Sequence, residues 1–160
     1  MNKKIFITLF TLILIFFSAN TSICIVKDKN LSKDIWINNI EDNNLKIKIL
    51  DVNVSDENIE LGEKYNAFAI ITMRVENTGA YEIELSNIDV YPFQGSRPTK
   101  YFVNTSEDNI TGFLGNLKGK ESKNIKMGIA LYNKEEPIKL ELSNIENTSN
   151  EKSVESISIK

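Results

Sequence analysis

Apolar and polar residues alternate one by one along several stretches of this chain, and a period of two marks an extended strand with one buried face. Leu45, Ile47 and Ile49 share one side with Lys46 and Lys48 opposite. The phase then slips, because Leu50, Val52 and Val54 form the next apolar set against Asp51, Asn53 and Ser55. A slip of one residue turns every side chain over, so the pattern predicts either a bulge near Ile49–Leu50 or a strand crossing between two sheets there. Ser55 to Lys64, with Gly62, reads as a polar connection. Next, Tyr65, Ala67, Ala69, Ile71, Met73 and Val75 make a continuous apolar face while Phe68 and Ile70 add apolar positions behind it, the pattern of a central strand. Asn77, Thr78 and Gly79 end it with residues that tolerate positive φ.

Further on, Tyr81, Ile83 and Leu85 alternate with Glu82 and Glu84, and after Ser86–Asn87 the apolar phase moves to Ile88 and Val90. A turn over Gly95 to Pro98 leads to a short strand over Lys100 to Val103. Ile125, Met127, Ile129 and Leu131 alternate with Asn124, Lys126, Gly128 and Ala130; Asn133 to Pro137 reads as a turn, and Ile138, Leu140 and Leu142 answer as the second arm of a hairpin. Ser143 to Lys152 is a polar loop, and Val154, Ile157 and Ile159 suggest a last strand. Leu31 to Ile40 reads as a short turn or helix, and no other stretch of the body holds a helical period. The fold class is therefore all-β: about seven short strands in a two-sheet sandwich. A body of this size hides roughly 68–70% of its unfolded surface, so it needs no disulfide.

With 160 residues, 41% hydrophobic and 26% charged, the composition is that of an ordinary globular domain. No histidine and one cysteine are present, which removes histidine-based triads, histidine or cysteine-rich metal sites and internal disulfides. The formal net charge is −3, and losing Lys3 and Lys4 with a leader would make it two units more negative. That argues against nucleic acid, whose binding needs clustered cations.

The leader expectation rests on Lys3 and Lys4, the apolar run Ile5 to Phe17 and the small or polar residues Ser18 to Ser22, the order of a secretory signal peptide. The run alone is shorter than the roughly 20 residues of a membrane span; an uncleaved anchor would have to include Ser18 to Val26. The expected organisation is a signal peptide over 1–24, a lead-in over 25–44 and the sandwich over 45–160. Cys24 invites a lipoprotein reading, but bacterial lipoboxes put a small residue immediately before the cysteine, and Ile23 is not small.

The order LKIKILDVNVS, YNAFAIITMRVENTG, YEIELSNIDVYPFQG and LGNLKGKESKNIKMGIALYNKEEPIKLELSN resembles the immunoglobulin-like (telokin-like) domain of unknown function found in exported proteins and lipoproteins of Gram-positive bacteria. The resemblance runs over roughly Leu45 to Leu142. It is carried by Asn77 and Gly79 at a strand end, and by Leu117, Gly119, Lys120 and Glu121 before an alternating strand. It implies an immunoglobulin-like sandwich and an extracellular, secreted or cell-surface address, with no catalytic residues to transfer.

Several residue groups invite chemistry. Asp51, Asn53 and Ser55 begin like a calcium loop, but Asp56 stands where glycine is needed and Gly62 where a bidentate glutamate belongs. An irregular calcium site could still draw on Asp56, Glu57, Glu60 and Glu63. Glu82 and Glu84 share a face as paired carboxylates do in glycosidases, yet that face is solvated in the strand pattern. Tyr91, Phe93, Arg97, Lys100, Tyr101 and Phe102 form the one dense aromatic and cationic segment, and a partner is expected to meet Pro92 to Phe102; the alternative is that Tyr91, Phe93 and Phe102 fill the end of the sandwich. We expect no enzymatic activity, no metal and no cofactor. The expected role is a binding or structural module at the cell surface, with Arg97, Lys100 and Tyr101 contacting a cell-envelope protein or polymer. Membrane association would come only through the leader or a lipid on Cys24. A carboxylate-dependent envelope hydrolase and a loop-presenting inhibitor or sensor are the alternatives.

Overall fold

The computed structural model describes residues 45–106, 109–145 and 152–159, and the backbone alone of 24–25 and 34–37. In chain order the strands are β1 (Cys24–Ile25), β2 (Asp34–Ile37), β3 (Leu45–Ser55), β4 (Ile59–Glu60), β5 (Lys64–Tyr65), β6 (Ala67–Asn77) and β7 (Ile83–Glu84). After a 3-10 turn over Leu85–Asn87 come β8 (Ile88–Gln94), β9 (Arg97–Pro98), β10 (Tyr101–Phe102), β11 (Asn116–Leu117), β12 (Ser122–Leu131), β13 (Ile138–Asn144) and β14 (Ser153–Ile157). One sheet has the order β1–β3–β6–β12–β10, with β2 also on β3; the other has the order β14–β13–β8–β9. Two short ribbons, β4–β5 and β7–β11, complete the strands. The molecule is a β-sandwich.

Its core is the inward phase of the long strands. Ala67, Ala69, Ile71, Met73 and Val75 of β6 and Ile138, Leu140 and Leu142 of β13 are each no more than 1% exposed. Burying one aliphatic side chain contributes about 1.5–3 kcal/mol, which is why alternation alone fixes which face of each strand turns inward.

The phase slip in β3 is a bulge. Ile49 lies opposite Met73 and Asp51 opposite Thr72, leaving Leu50 as the extra residue. Leu50 is 43% exposed, while Ile49 and Val52 stay buried, so Leu50 does not belong to the inward set with Val52 and Val54. The slip after Leu85 has a different origin: the 3-10 turn rotates the chain as it leaves the β7–β11 ribbon for β8 of the second sheet. Tyr81, in phase with Ile83 by sequence, precedes β7 and is exposed.

Three other expectations are corrected. Over Asp34–Ile37 the chain is a strand paired with Lys48 to Leu45 of β3, not helix or turn. The polar tail begins later than expected, since β13 continues to Asn144 and pairs there with Ile88; residues 146–151 lie outside the described set. Finally, β12 and β13 are not a hairpin: β12 pairs with β6 and β10, whereas β13 pairs with β8 and β14. The connection instead crosses between sheets, and Gln94 holds it. This fully buried amide accepts from the N–H of Tyr132 at 2.6 Å and of Asn133 at 3.2 Å, and donates to the carbonyls of Asn133 at 2.6 Å and Glu136 at 3.3 Å. Alternation reports the face of a strand, not its sheet.

The crossing from β6 to β8 gathers the residues on which the family resemblance rests. Asn77 is fully buried; its Nδ2 donates to the carbonyls of Tyr81 at 2.7 Å and Leu117 at 3.0 Å, and its Oδ1 accepts from the N–H of Gly79 at 2.9 Å. Neither Asn77 nor Gly79 has positive φ; that conformation falls to Lys120, at +63°. A Cβ on Gly119 would stand 2.2 Å from the Ala80 carbonyl oxygen, so only glycine lets these two loops meet. Lys120 Nζ donates to the Thr78 carbonyl across the same contact.

The leader expectation falls on residues 1–23, outside the described set. Cys24 begins β1, opposite Val54.

Candidate functional site

The aromatic and cationic segment lies where the chain leaves the edge of one sheet for the edge of the other. β8 turns at Gly95, φ +56°, into β9, which pairs only with Phe93 and Gln94. Thr99 then donates its N–H to the Pro92 carbonyl at 2.9 Å, the Lys100 carbonyl accepts from Ala130 at 2.8 Å, and β10 follows along β12. Between these edges lies an open depression of about 260 Å³, lined by Val90 to Phe93 and Pro98 to Tyr101. Tyr91 and Tyr101 stand 45% and 50% exposed around it.

The three residues expected to contact a partner divide into two groups. Arg97 is tied back onto the protein: its guanidinium carbon lies 3.5 Å above the Tyr132 ring and its Nη2 lies 3.7 Å from Glu63 Oε2. Lys100 donates to the Leu61 carbonyl at 2.6 Å while also lining the depression. Tyr101 lines the depression on an edge strand, opposite Ile129. Of the flanking aromatics, Phe102 packs edge-on to Phe68 at 5.8 Å and over Gly128, where a Cβ would meet the ring at 2.3 Å. That ring packs on the outer face of the first sheet, since Phe68 and Gly128 fall in the outward phase of β6 and β12, and it does not fill the end of the sandwich as the core-filling alternative expects; Tyr91 and Tyr101 stay exposed.

A cluster that sequence reasoning missed anchors this region. Tyr65, fully buried, donates its hydroxyl to Glu63 Oε1 at 2.7 Å. Its ring lies 5.0 Å from that of Tyr132, whose hydroxyl donates to the Pro98 carbonyl at 3.0 Å. The Tyr65 hydroxyl bond, aided by the charges of Arg97 and Lys100 and opposed by partial burial, holds the Glu63 carboxyl below its ordinary range. Burial first, then the Glu63 bond, pushes the Tyr65 hydroxyl well up. Spacing alone could not reveal the cluster, because Glu63 and Tyr132 are 69 residues apart.

On the outer face of the second sheet, Lys139 Nζ lies 5.1 Å over the Phe93 ring and Lys152 Nζ lies 5.0 Å over that of Tyr91. Both lysines bond Glu141, at 2.8 and 3.2 Å, and these bonds hold its carboxyl below the ordinary range, Lys139 contributing most.

The other candidate groups are dispersed. Glu82 accepts from Asn116 at 2.6 Å and Glu84 from the Ser86 hydroxyl at 2.6 Å, both in solvent. Asp56 pairs with Lys134 at 2.5 Å and Glu63 belongs to the tyrosine cluster. Among the described residues no three acidic or cysteine side chains come together as metal ligands would.

No protein-family description matches the chain, and no curated protein matches it. Among solved structures it is similar to an uncharacterized β-sandwich protein from Clostridium difficile 630, at 17% identity and a TM-score of 0.42, over 81% of this chain and 97% of that one. Nothing about the role of this chain follows from that likeness.

Proposed function

We propose that this protein is an exported immunoglobulin-like domain that acts as a binding module at the cell surface, meeting a cell-envelope protein or polymer through the depression between β8 and β10. The strand orders support the immunoglobulin-like reading. With β3, β6, β8, β10, β12, β13 and β14 taken as strands A to G, the sheets read A-B-E-D and C-F-G, the constant-type arrangement. Export rests on the leader pattern of Lys3 to Ser22.

The observation that carries the binding reading is the pair of half-exposed tyrosines at one concave site, because tyrosine supplies contact area at low entropy cost and is enriched in binding hot spots. A hydrolase would need a shielded carboxylate pair, whereas Glu82 and Glu84 are solvent-exposed.

One experiment tests both parts. The full chain with a C-terminal tag is produced in its native cells, cross-linked in place and recovered from envelope, medium and cytosol, beside a Tyr91→Ala/Tyr101→Ala variant. Envelope or medium protein lacking Met1 to Phe17, with a cross-linked partner that the variant loses at unchanged melting temperature, is the expected result. Cytosolic protein retaining Met1, or a partner captured equally by the variant, overturns the proposal.

A further inference from the structure

The backbone around the depression narrows the class of partner. The Gly95 N–H donates to Pro137, and the Asn87 carbonyl accepts from Ile145, so the odd-numbered residues along β8 present their peptide groups to β13. In an antiparallel ladder neighbouring residues point opposite ways, so the N–H and carbonyl of Val90 face away from β13. On that side β9 covers only Phe93 and Gln94, the Thr99 N–H takes the Pro92 carbonyl, and the chain then departs to the other sheet. Val90 is left in the wall of the depression with no ladder partner on the side away from β13 among the described residues, although β10 approaches β8 there. Across the gap the Lys100 carbonyl faces β12, so by the same alternation the peptide groups of Tyr101 face outward from β10. Unpaired strand edges of this kind are templates for another strand.

The side chains add a sign. Lys100 is the sole charged residue in the lining; its ammonium bonds the Leu61 carbonyl with further donors to offer, and its charge also acts on Glu63, which Arg97 shares. Lys139 and Lys152 overlie the two lining rings Phe93 and Tyr91 and share a single carboxylate, Glu141; Asp89 accepts from the Tyr91 hydroxyl at 3.2 Å. We infer that the depression binds an extended acidic peptide segment as an added strand, taking up the track that β9 leaves at Thr99. The Val90 backbone supplies ladder bonds, Tyr91 and Tyr101 grip alternate side chains of the peptide, and Lys100 meets a carboxylate. The inference rests on the binding reading above and names its ligand class.

The probe is a panel of capped eight-residue peptides alternating Val, Ile or Tyr with Glu, beside the same panel with Gln for Glu and with alternate amides N-methylated. Binding to the full chain is followed by the Val90 amide resonance and by calorimetry. We expect Glu peptides to bind and to shift the Val90 amide downfield, Gln peptides to bind about tenfold more weakly, about 1.4 kcal/mol, and N-methylation in one register to weaken binding at least tenfold. Lys100→Gln, checked for an unchanged melt, should abolish the preference for Glu. A panel without binders, equal binding of both N-methylated registers and the parent, or a Glu preference that survives Lys100→Gln overturns the inference. The N-methylated peptides leave the protein untouched, so that arm reads even if the variant fails to fold. Loss of the envelope partner in Tyr91→Ala/Tyr101→Ala, with no peptide bound, would leave the binding module standing and remove only its peptide class.

Discussion

The crossings from β6 to β8 and from β12 to β13, and the flank where β9 passes to β10, are held by opposite means. Asn77 and Gln94 are fully buried, and each is a neutral amide that serves both donors and acceptors of a passing loop. On the flank, the Arg97–Glu63 pair has side chains 61% and 46% exposed, and Lys100 is anchored through one carbonyl. A buried amide satisfies peptide groups without stripping water from a charge, whereas an exposed ion pair contributes about 0–1 kcal/mol. The frame is thus fixed by buried bonds that water replaces only in part, and the flank by exposed bonds that water replaces readily. The recognition surface proposed for the flank would then rearrange without disturbing the sandwich.

The largest expected effect comes from removing a frame amide. Gln94→Leu keeps much of the volume but leaves the N–H groups of Tyr132 and Asn133 and the Asn133 carbonyl without their partner. At about 1–3 kcal/mol for each buried group left unsatisfied, with partial rescue by water, a loss of about 3 kcal/mol follows. Urea unfolding should show a lower midpoint at unchanged slope. A loss under about 1 kcal/mol would mean that water substitutes at this corner and that the contrast with the flank fails. Asn77→Ala should cost less, about 2 kcal/mol, because Tyr81 is 65% exposed and water can reach the carbonyl that Asn77 relinquishes there. The reverse order in the same titration would make the Asn77 corner the tighter one.

That ranking also shows what could be read from the sequence. The inward faces of β3, β6, β12 and β13 were legible, because burial dominates the energy of a strand and alternation records it directly. Gln94 was legible in retrospect: Ile88, Val90 and Pro92 put it in the buried phase of β8, and a polar residue in that phase must have a partner. The sheet to which β13 belongs was not legible, since a crossing and a hairpin share the same turn residues. Nor was the bulge residue identifiable, because Leu50 is apolar and exposed, and only the pairing of Ile49 and Asp51 exposes it as the insertion. For the candidate site, the segment was visible as a cluster of aromatic and basic residues, but the division of labour was not. The partners of Arg97 and Lys100 come from Leu61, Glu63 and Tyr132, brought near by topology rather than by spacing.

The smallest effect should come from the flank itself, and its signature is pH dependence rather than size. The Tyr65 hydroxyl bond first, then the charges of Arg97 and Lys100, favour the ionised form of Glu63, so its carboxyl titrates below the ordinary 4.5 in the folded protein. A group whose folded pKa is depressed contributes stability that is present above its unfolded pKa and is lost as pH falls through the folded one. Wild type should therefore exceed Glu63→Gln in thermal stability at neutral pH, with the gap closing as pH falls from about 5 to about 3. Salt at about 0.5 M should narrow the neutral-pH gap by screening the exposed Arg97 and Lys100 charges, while leaving the part due to the buried Tyr65 hydroxyl. A gap that does not change with pH would assign the role of Glu63 to shape instead of charge. A gap as large as that of Gln94→Leu would show that the flank is as firmly built as the frame, and a partner would then have to bind it as it stands.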